Sequence, residues 1–462
     1  MSQATYDALW MTRDDSAPKI NPTDAKLRTY SGERLDVVGA IDVDVKYQST
    51  SVKLNLVIVK GDGPTLMGRD WLQHIRLDWA QLNNLDAEHS QLEEMLAKHS
   101  NLFQPGLGKI SGTTAKLYLK QGAKPKFCRA RTVPIALREK IEQEIARQVE
   151  EGILESVNFS EWATPIVPVI KKDGSVRLCG DYKVTVNQAS ETESYPLPKI
   201  DDILASLAGG TLFSKLDLAH AYQQIILDDE SKKIVTINTH KGLYQVNRLP
   251  FGVASAPSMF QRIMESILQG LPNVSVYIDD ILVTGKTPQE HLSNLDTVLT
   301  RLEQAGLRLK RKKCVFLLPV VEYLGYKISA QGIQPTEEKV NAIREAPTPQ
   351  DVSQLKSFIG LVNYYGKFLP DLSNVLAPLY RLLQKETKWS WGDEQQRAFQ
   401  EVKKLLTSEC LLVHFDPDKE LILACDASPY GVGAVLSHRG EDGREQPIAF
   451  AVACPGFEGG RC

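Results

Sequence analysis

Apolar and polar residues alternate at Val37, Ile41, Val43 and Val45, and again at Leu54, Leu56 and Ile58. A period of two puts such residues on one face of a strand, so residues 30–80 read as β, with Gly61-Asp62-Gly63-Pro64 as a turn. A short amphipathic helix is predicted over 86–99, and Pro105, Gly106, Gly108 and Gly112 mark a linker. The period then lengthens. Ile141, Ile145 and Val149 form an i, i+4 stripe that continues to Ile153 and predicts a helix over 135–151, stopped by Gly152. The β-rich stretch 162–182 turns about Lys172-Asp173-Gly174-Ser175, a hairpin signal. A helix near 198–208 ends at Gly209-Gly210, a strand covers 211–218, and a second hairpin spans 233–248 about His240-Lys241-Gly242.

Met259, Phe260, Ile263, Met264 and Ile267 share one face of a helix predicted over 256–269. VSVYIDDILVTG (274–285) reads as two short apolar strands flanking an aspartate pair. Thr287-Pro288-Gln289-Glu290 is a capping box for a helix whose core stripe is Leu292, Leu295, Leu299 and Leu302, capped by Gly306. Strands follow around 314–329. After Pro335 the pattern is helical to about 408, broken at 346–349, and 420–439 reads as strand, turn and strand. No fixed-period repeat occurs. Hairpins alternating with helices, then helices, then a fresh β start make an α+β chain of separate lobes.

At 462 residues the chain is long for one domain, since roughly 150 residues per domain suggests about three. With 42% hydrophobic and 24% charged residues it is neither a disordered chain, a collagen-like repeat nor a disulfide scaffold. No apolar run approaches the ~18 residues of a membrane span, and the first twenty residues lack a signal-peptide pattern. An intracellular protein, cytoplasmic or nuclear, with no membrane partner is therefore expected. The net charge of −3 hides two basic runs, 124–140 and 301–313, each with six basic residues against one acidic; the plain reading of either is a solvated face. The seven cysteines form no CxxC pair, and the histidines show no HxxxH spacing.

Three aspartates stand out. Asp217 ends an apolar strand, and Asp279 and Asp280 sit between two others. A hairpin tip with two carboxylates beside a strand end with a third gathers about three negative charges, which repel unless cations neutralise them. Hard divalent ions with oxygen ligands are the natural partners, and a pair of them suits in-line phosphoryl displacement. Taken singly, an Asp pair between strands is usually a turn and a strand-terminal Asp a cap; the ordered neighbouring blocks decide otherwise.

Those blocks are KKDGSVRLCGDYKVTVN (171–187), FSKLDLAHAYQQI (213–225), LPFGVASAPSMFQRIM (249–264), YIDD (277–280) and EYLGYKIS (322–329). In this order they resemble the pol region of gypsy-type LTR retrotransposons. The resemblance implies a right-hand polymerase with fingers, palm and thumb, acting as a reverse transcriptase on a primer–template (RNA–DNA hybrid or DNA) with deoxynucleoside triphosphates. It implies Asp217, Asp279 and Asp280 as catalytic ligands of two Mg²⁺ ions, with Mn²⁺ as an alternative. It also places Lys171 and Arg177 on the triphosphate, Tyr222 as an aromatic steric gate, Phe251 in the nucleotide pocket, where retroviral enzymes usually carry Gln, and Leu324-Gly325 as the primer grip. Without it, Lys171 and Arg177 read as solvated hairpin charges and Tyr222 equally well as a core tyrosine.

The flanks resemble further domains in part. Residues 1–82, including TLMGRDWL (65–72), resemble the later part of a retropepsin-like protease but contain no DTG or DSG. Residues 83–124 are expected as the linker, 125–332 as fingers and palm, and 333–415 as thumb and connection. Residues 416–462 resemble a truncated ribonuclease H-like start in which Asp426 is a vestigial metal ligand. Glu441 and Asp442 are poor substitutes for its missing acids, and 454–462 reads as an unrelated tail. The expected activity is RNA-directed DNA polymerisation, with ribonuclease H and protease activity not expected. Its rival is a catalytically silent or repurposed fragment that binds nucleic acid. A protease subunit completed in trans is weaker still. Oligomeric state is left open.

Overall fold

The computed structural model describes residues 1–10, 18–28, 34–47, 50–62, 65–75, 79–171, 174–384, 387–405, 411–428, 431–440 and 443–453. The chain forms two compact units, residues 1–93 and 94–462.

In the first unit the alternating positions pair as the pattern requires. Val37–Tyr47 runs antiparallel to Thr50–Val59, with Ile41 opposite Leu56 and Val43 opposite Leu54. Ile41 and Ile58 close over Tyr6 of the helix Gln3–Trp10. Of the turn at 61–64, residues 63 and 64 lie outside the described residues. The β reading fails further on: Arg69–His74 is helical, and the helix expected from 86 already starts at Trp79 and runs to Lys98. These segments lack period two and are rich in Leu, Gln and Glu, which hold helical backbone at little entropic cost.

The second unit opens with a stretch the sequence marks as linker, yet residues 100–117 are packed. Leu102, Ile110 and Leu117 are buried. Lys109 and Ser111 donate their N–H groups to the carbonyls of Gly306 (3.0 Å) and Ala305 (2.9 Å), and Thr114–Ala115 pairs in parallel with Ile226–Leu227. The buried residues are too far apart to show a period, so Gly and Pro dominate the pattern.

The region expected as fingers holds a five-stranded sheet ordered Leu154–Val157, Gly242–Val246, Ile237–Thr239, Thr164–Ile170 and Val176–Gly180. The expected hairpin closes with Ile170 opposite Val176; Lys172 and Asp173 lie outside the described residues. The helix Ile135–Glu150 packs on this sheet through Ile141 and Ile145. Its stripe ends on Gln148, 5% exposed, while Val149 is 42% exposed, because at 3.6 residues per turn i+7 stays on the buried face and i+8 drifts off it.

The sheet expected as the palm is antiparallel, ordered Val274–Tyr277, Asp280–Gly285, Leu212–Asp217 and Val315–Leu318. Helices Ala256–Ile267 and Pro288–Gln304 pack on it. The second is capped as predicted: Thr287 Oγ1 accepts from the Glu290 N–H (3.2 Å), and Glu290 returns its carboxylate to the N–H of Lys286 (2.9 Å). Leu295, Leu299 and Leu302 are completely buried. Leu299→Ala is expected to cost about 2–5 kcal/mol. Urea denaturation checks it, and an unchanged midpoint would contradict this packing.

Beyond the palm stands a meander of Val320–Tyr323, Tyr326–Ser329 and Gly332–Pro335. Helices Glu337–Arg344, Val352–Tyr364, Leu372–Arg381 and Asp393–Leu405 follow, with the break at 346–349 where expected. One core joins palm, meander and helices through Phe213, Tyr323, Phe358, Leu376 and Phe399. The C-terminal sheet holds the two strands anticipated, Leu421–Ser428 and Gly431–Arg439, and a third, Glu445–Ala453, that the pattern did not show. Residues 441–442 and 454–462 lie outside the described residues. Among the described residues no helix is long and apolar enough to cross a membrane.

Candidate active site

Register brings the aspartates together. The strand Leu212–Asp217 pairs with Asp280–Gly285 so that Asp217 stands directly opposite Asp280. Tyr277 also pairs with Asp280, leaving Ile278 and Asp279 as a two-residue hairpin loop. Ile278 takes a φ of +57°. In a two-residue hairpin, positive φ at the first loop position usually selects glycine; for a β-branched residue it is an outlier and costs about 1–3 kcal/mol.

Two cations and a buried thiol surround the cluster. Lys313 Nζ lies 3.2 Å from Asp217 Oδ2, and Lys215 Nζ lies 3.1 Å from Asp280 Oδ1. Lys313 belongs to the 301–313 basic run, so one member of a stretch that reads as a solvated face is bound to the candidate site. The Asp217 N–H points at Cys314 Sγ (3.4 Å), and burial pushes that thiol up to about 11, so it adds no negative charge at neutral pH. Tyr323 donates its hydroxyl to the backbone carbonyl of Asp280 at 3.2 Å.

Asp279 holds its proton more tightly than an ordinary aspartate. The surrounding protein desolvates its charge and Asp280 and Asp217 add like charge, against the pull of its own backbone N–H and of Lys313. Followed by NMR, the Asp279 carboxyl is therefore expected to titrate above the ordinary aspartate range. Lys313→Gln should move that titration further up, because removing a nearby cation disfavours the carboxylate. A titration unmoved by this change would contradict the coupling.

The nucleotide-side candidates form a chain of ring contacts. The Arg177 guanidinium lies 5.1 Å from the Phe251 ring centre. Phe251 meets Tyr222 edge to face at 5.2 Å, and Tyr222 meets Phe260 in the same way at 5.3 Å. Burial, then Asp279, raises the Tyr222 hydroxyl to about 12, so it stays neutral. Lys171 is exposed at the turn end of the Thr164–Ile170 and Val176–Gly180 hairpin, where its N–H bonds the Ser175 carbonyl; among the described contacts it does not join this chain.

Leu324 and Gly325 are the two loop residues between Tyr323 and Tyr326, both with positive φ (49° and 81°). That is the hairpin class whose twist matches its strands. Tyr364 and Tyr365 donate their hydroxyls to the carbonyls of Leu324 (2.9 Å) and Gly325 (3.2 Å). Both tyrosines come from a helix end some forty residues on, so their contact with this loop is not legible in a linear reading. Asp426 lies on an exposed strand position opposite Gly433, beside a cavity of about 280 Å³ that Asp371 also lines.

Among the described residues no three His, Cys, Asp or Glu side chains are arranged to hold a metal ion. The donor chemistry nonetheless suits one. Asp217, Asp279 and Asp280 offer only hard oxygens, and Asp279, whose charged form is disfavoured by desolvation and then by Asp280 and Asp217, would gain from a cation beside it.

Residues 169–328 match the family described as reverse transcriptase (RNA-dependent DNA polymerase). Residues 391–453 match the RNase H-like domain found in reverse transcriptase. The chain is 33% identical over 323 residues to the Transposon Tf2-3 polyprotein of Schizosaccharomyces pombe, covering 70% of this chain and 24% of that one. This chain belongs to the pol polyproteins of gypsy-type LTR retrotransposons. Its reverse transcriptase domain contains all the polymerase candidates above, and its ribonuclease H-like domain contains Asp426. It is also 33% identical over 365 residues to the uncharacterized protein K02A2.6 of Caenorhabditis elegans, covering 77% of this chain and 28% of that one. The pol chain thus spans about a quarter of the length of these curated relatives. A foamy viral protease-reverse transcriptase, solved in complex with dsDNA, superposes with a TM-score of 0.73 at 26% identity over 84% of this chain and 79% of that one.

Proposed function

We propose that this chain is an RNA-directed DNA polymerase, extending a primer on an RNA or DNA template with deoxynucleoside triphosphates. The observation that carries this reading is Asp217 opposite Asp280 with Asp279 in the adjoining loop, inside a reverse transcriptase domain. Asp217, Asp279 and Asp280 would hold two divalent ions, Mg²⁺ or in its place Mn²⁺. When bound, such ions supply charge for the attacking primer 3′-oxygen and for the oxygens of the departing pyrophosphate.

The remaining work belongs to side chains. Lys215 and Lys313 keep the carboxylate cluster tolerable before the ions enter. Arg177, held against Phe251, clamps triphosphate oxygens through a planar fork of donors; Lys171 adds a point charge from the hairpin. The Tyr222 ring, fixed by Phe251 and Phe260, fills the space a 2′-hydroxyl would need. The Leu324-Gly325 loop, tied down by Tyr364 and Tyr365, offers the primer strand a close backbone approach. The basic residues of 308–313 contact duplex phosphates, which carry affinity and little sequence information. The foamy viral relative bound to dsDNA supports a nucleic-acid partner.

Residues 1–82 serve in this reading as a β-rich appendage without protease chemistry, since the sequence holds no DTG or DSG. The test is primer extension on RNA and on DNA templates with Mg²⁺ and four deoxynucleotides. Extension supports the proposal; a folded chain that binds primer–template and extends nothing would replace it with the silent, nucleic-acid-binding reading.

A further inference from the structure

The geometry points to Gln261 as a positioning residue that holds Ile278, the first residue of the Ile278–Asp279 loop, at its positive φ and so sets Asp279 against Asp217. This rests on the polymerase reading above. Gln261 lies on the helix Ala256–Ile267 and is completely buried. Its apolar neighbours Met259, Phe260, Ile263 and Met264 share that burial, so a polar side chain breaks the pattern of the face.

All its polar atoms are used. Gln261 Nε2 donates to the Val276 carbonyl (2.9 Å) and to Glu265 Oε1 (2.7 Å), and its Oε1 accepts the Ile278 N–H at 2.6 Å. Val276 precedes the loop and Ile278 begins it, so one amide grips the last strand residues and the strained residue together. A two-residue loop can turn by several backbone routes, and the route with positive φ at an isoleucine is not one the residue prefers. Something outside the loop must select it. The short bond from the Ile278 N–H to a buried acceptor does so, because the alternative leaves the buried Gln261 oxygen unpaired. Asp279, the next residue, inherits its position from that choice.

The helix packing alone would be served by Leu or Met, which fill similar volume. A purely structural role therefore predicts a change in stability, whereas positioning predicts a change in turnover that depends on the backbone freedom of residue 278. In primer extension, Gln261→Leu is expected to lower kcat about 100-fold with KM for the deoxynucleotide changed little, as for loss of an interaction made in the transition state. Glycine adopts positive φ freely. Ile278→Gly combined with Gln261→Leu is thus expected to recover at least about tenfold of the lost kcat. A Gln261→Leu enzyme within twofold of the parent, or a loss that Ile278→Gly does not relieve, would overturn the assignment.

Amide hydrogen exchange on the parent decides the point independently of activity and of whether the leucine variant folds. The Ile278 N–H should be strongly protected, unlike an ordinary loop amide; rapid exchange there would sink the clamp. If the parent extends no primer, the polymerase reading fails by itself, and exchange at Ile278 still decides whether Gln261 holds the loop.

Discussion

Replacing Asp279 and Asp280 together by asparagine is expected to abolish primer extension, with a loss on the order of 10⁴-fold, the scale seen when a charged member of a catalytic group is removed. Asparagine keeps the volume and hydrogen-bonding capacity of aspartate and removes only charge, so the hairpin with its Tyr277–Asp280 pairing has no steric reason to open. Folding should survive for an electrostatic reason as well. Asp279 sits in a field that disfavours its ionised form, and neutralising it relieves repulsion with Asp280 and Asp217. The opposing cost is that Lys215 loses its carboxylate partner; it remains a quarter exposed and lies 5.8 Å from the Tyr323 ring centre, so water and the ring still receive it. Extension rates read beside fluorescence anisotropy on primer–template separate chemistry from binding. Duplex binding, proposed above to run through the basic residues of 308–313, should change little. A double variant that keeps more than a tenth of parental turnover would remove these aspartates from the chemistry.

The second large effect is expected at Tyr222. Tyr222→Val should raise ribonucleotide incorporation relative to deoxynucleotide by about 100-fold, the scale at which pocket shape discriminates between substrates. In the role proposed for it, the tyrosine ring, packed edge to face on Phe251 and Phe260, takes the space of a 2′-hydroxyl. Selection would then come from the ring rather than from the phenol, which burial, then Asp279, keeps neutral with a value of about 12. Tyr222→Phe is therefore the control, and it should keep the parent's sugar preference. Competitive incorporation of the two nucleotide types from one primer–template measures both variants. Equal preference in the parent and in Tyr222→Val would show that the ring does not meet the sugar.

Much of the polymerase was legible in the linear pattern because its strands and helices carry a clear period. The leucine stripe of the helix Pro288–Gln304, with its capping box, needed no partner to be recognised. The VSVYIDDILV hairpin was equally plain, because two short apolar strands around an acidic pair leave few alternatives. Where burial depends on distant contacts the pattern failed. Residues 100–117 look like a connector, yet Leu102, Ile110 and Leu117 are buried, and Ile110 donates its N–H to the Gln224 carbonyl far along the chain. The same holds for the third C-terminal strand, whose partner Gly431–Arg439 supplies the register that its own alternation does not.

Sequence by itself determined the inventory of this protein: which residues could bear charge at a strand end, where hairpins turn, and which motif order marks a pol chain. Tertiary structure decided the rest. It placed Lys215 and Lys313 on the carboxylates, pressed Arg177 onto Phe251 and Phe251 onto Tyr222, and sent Tyr364 and Tyr365 to the Leu324-Gly325 carbonyls. It also buried a glutamine where the helix pattern favoured apolar packing and joined it to a strained loop. The physical reason is one of range. Periodicity and turn chemistry arise from neighbours a few residues apart, whereas charge pairing, ring packing and the satisfaction of a buried amide arise between residues that only the folded chain brings together.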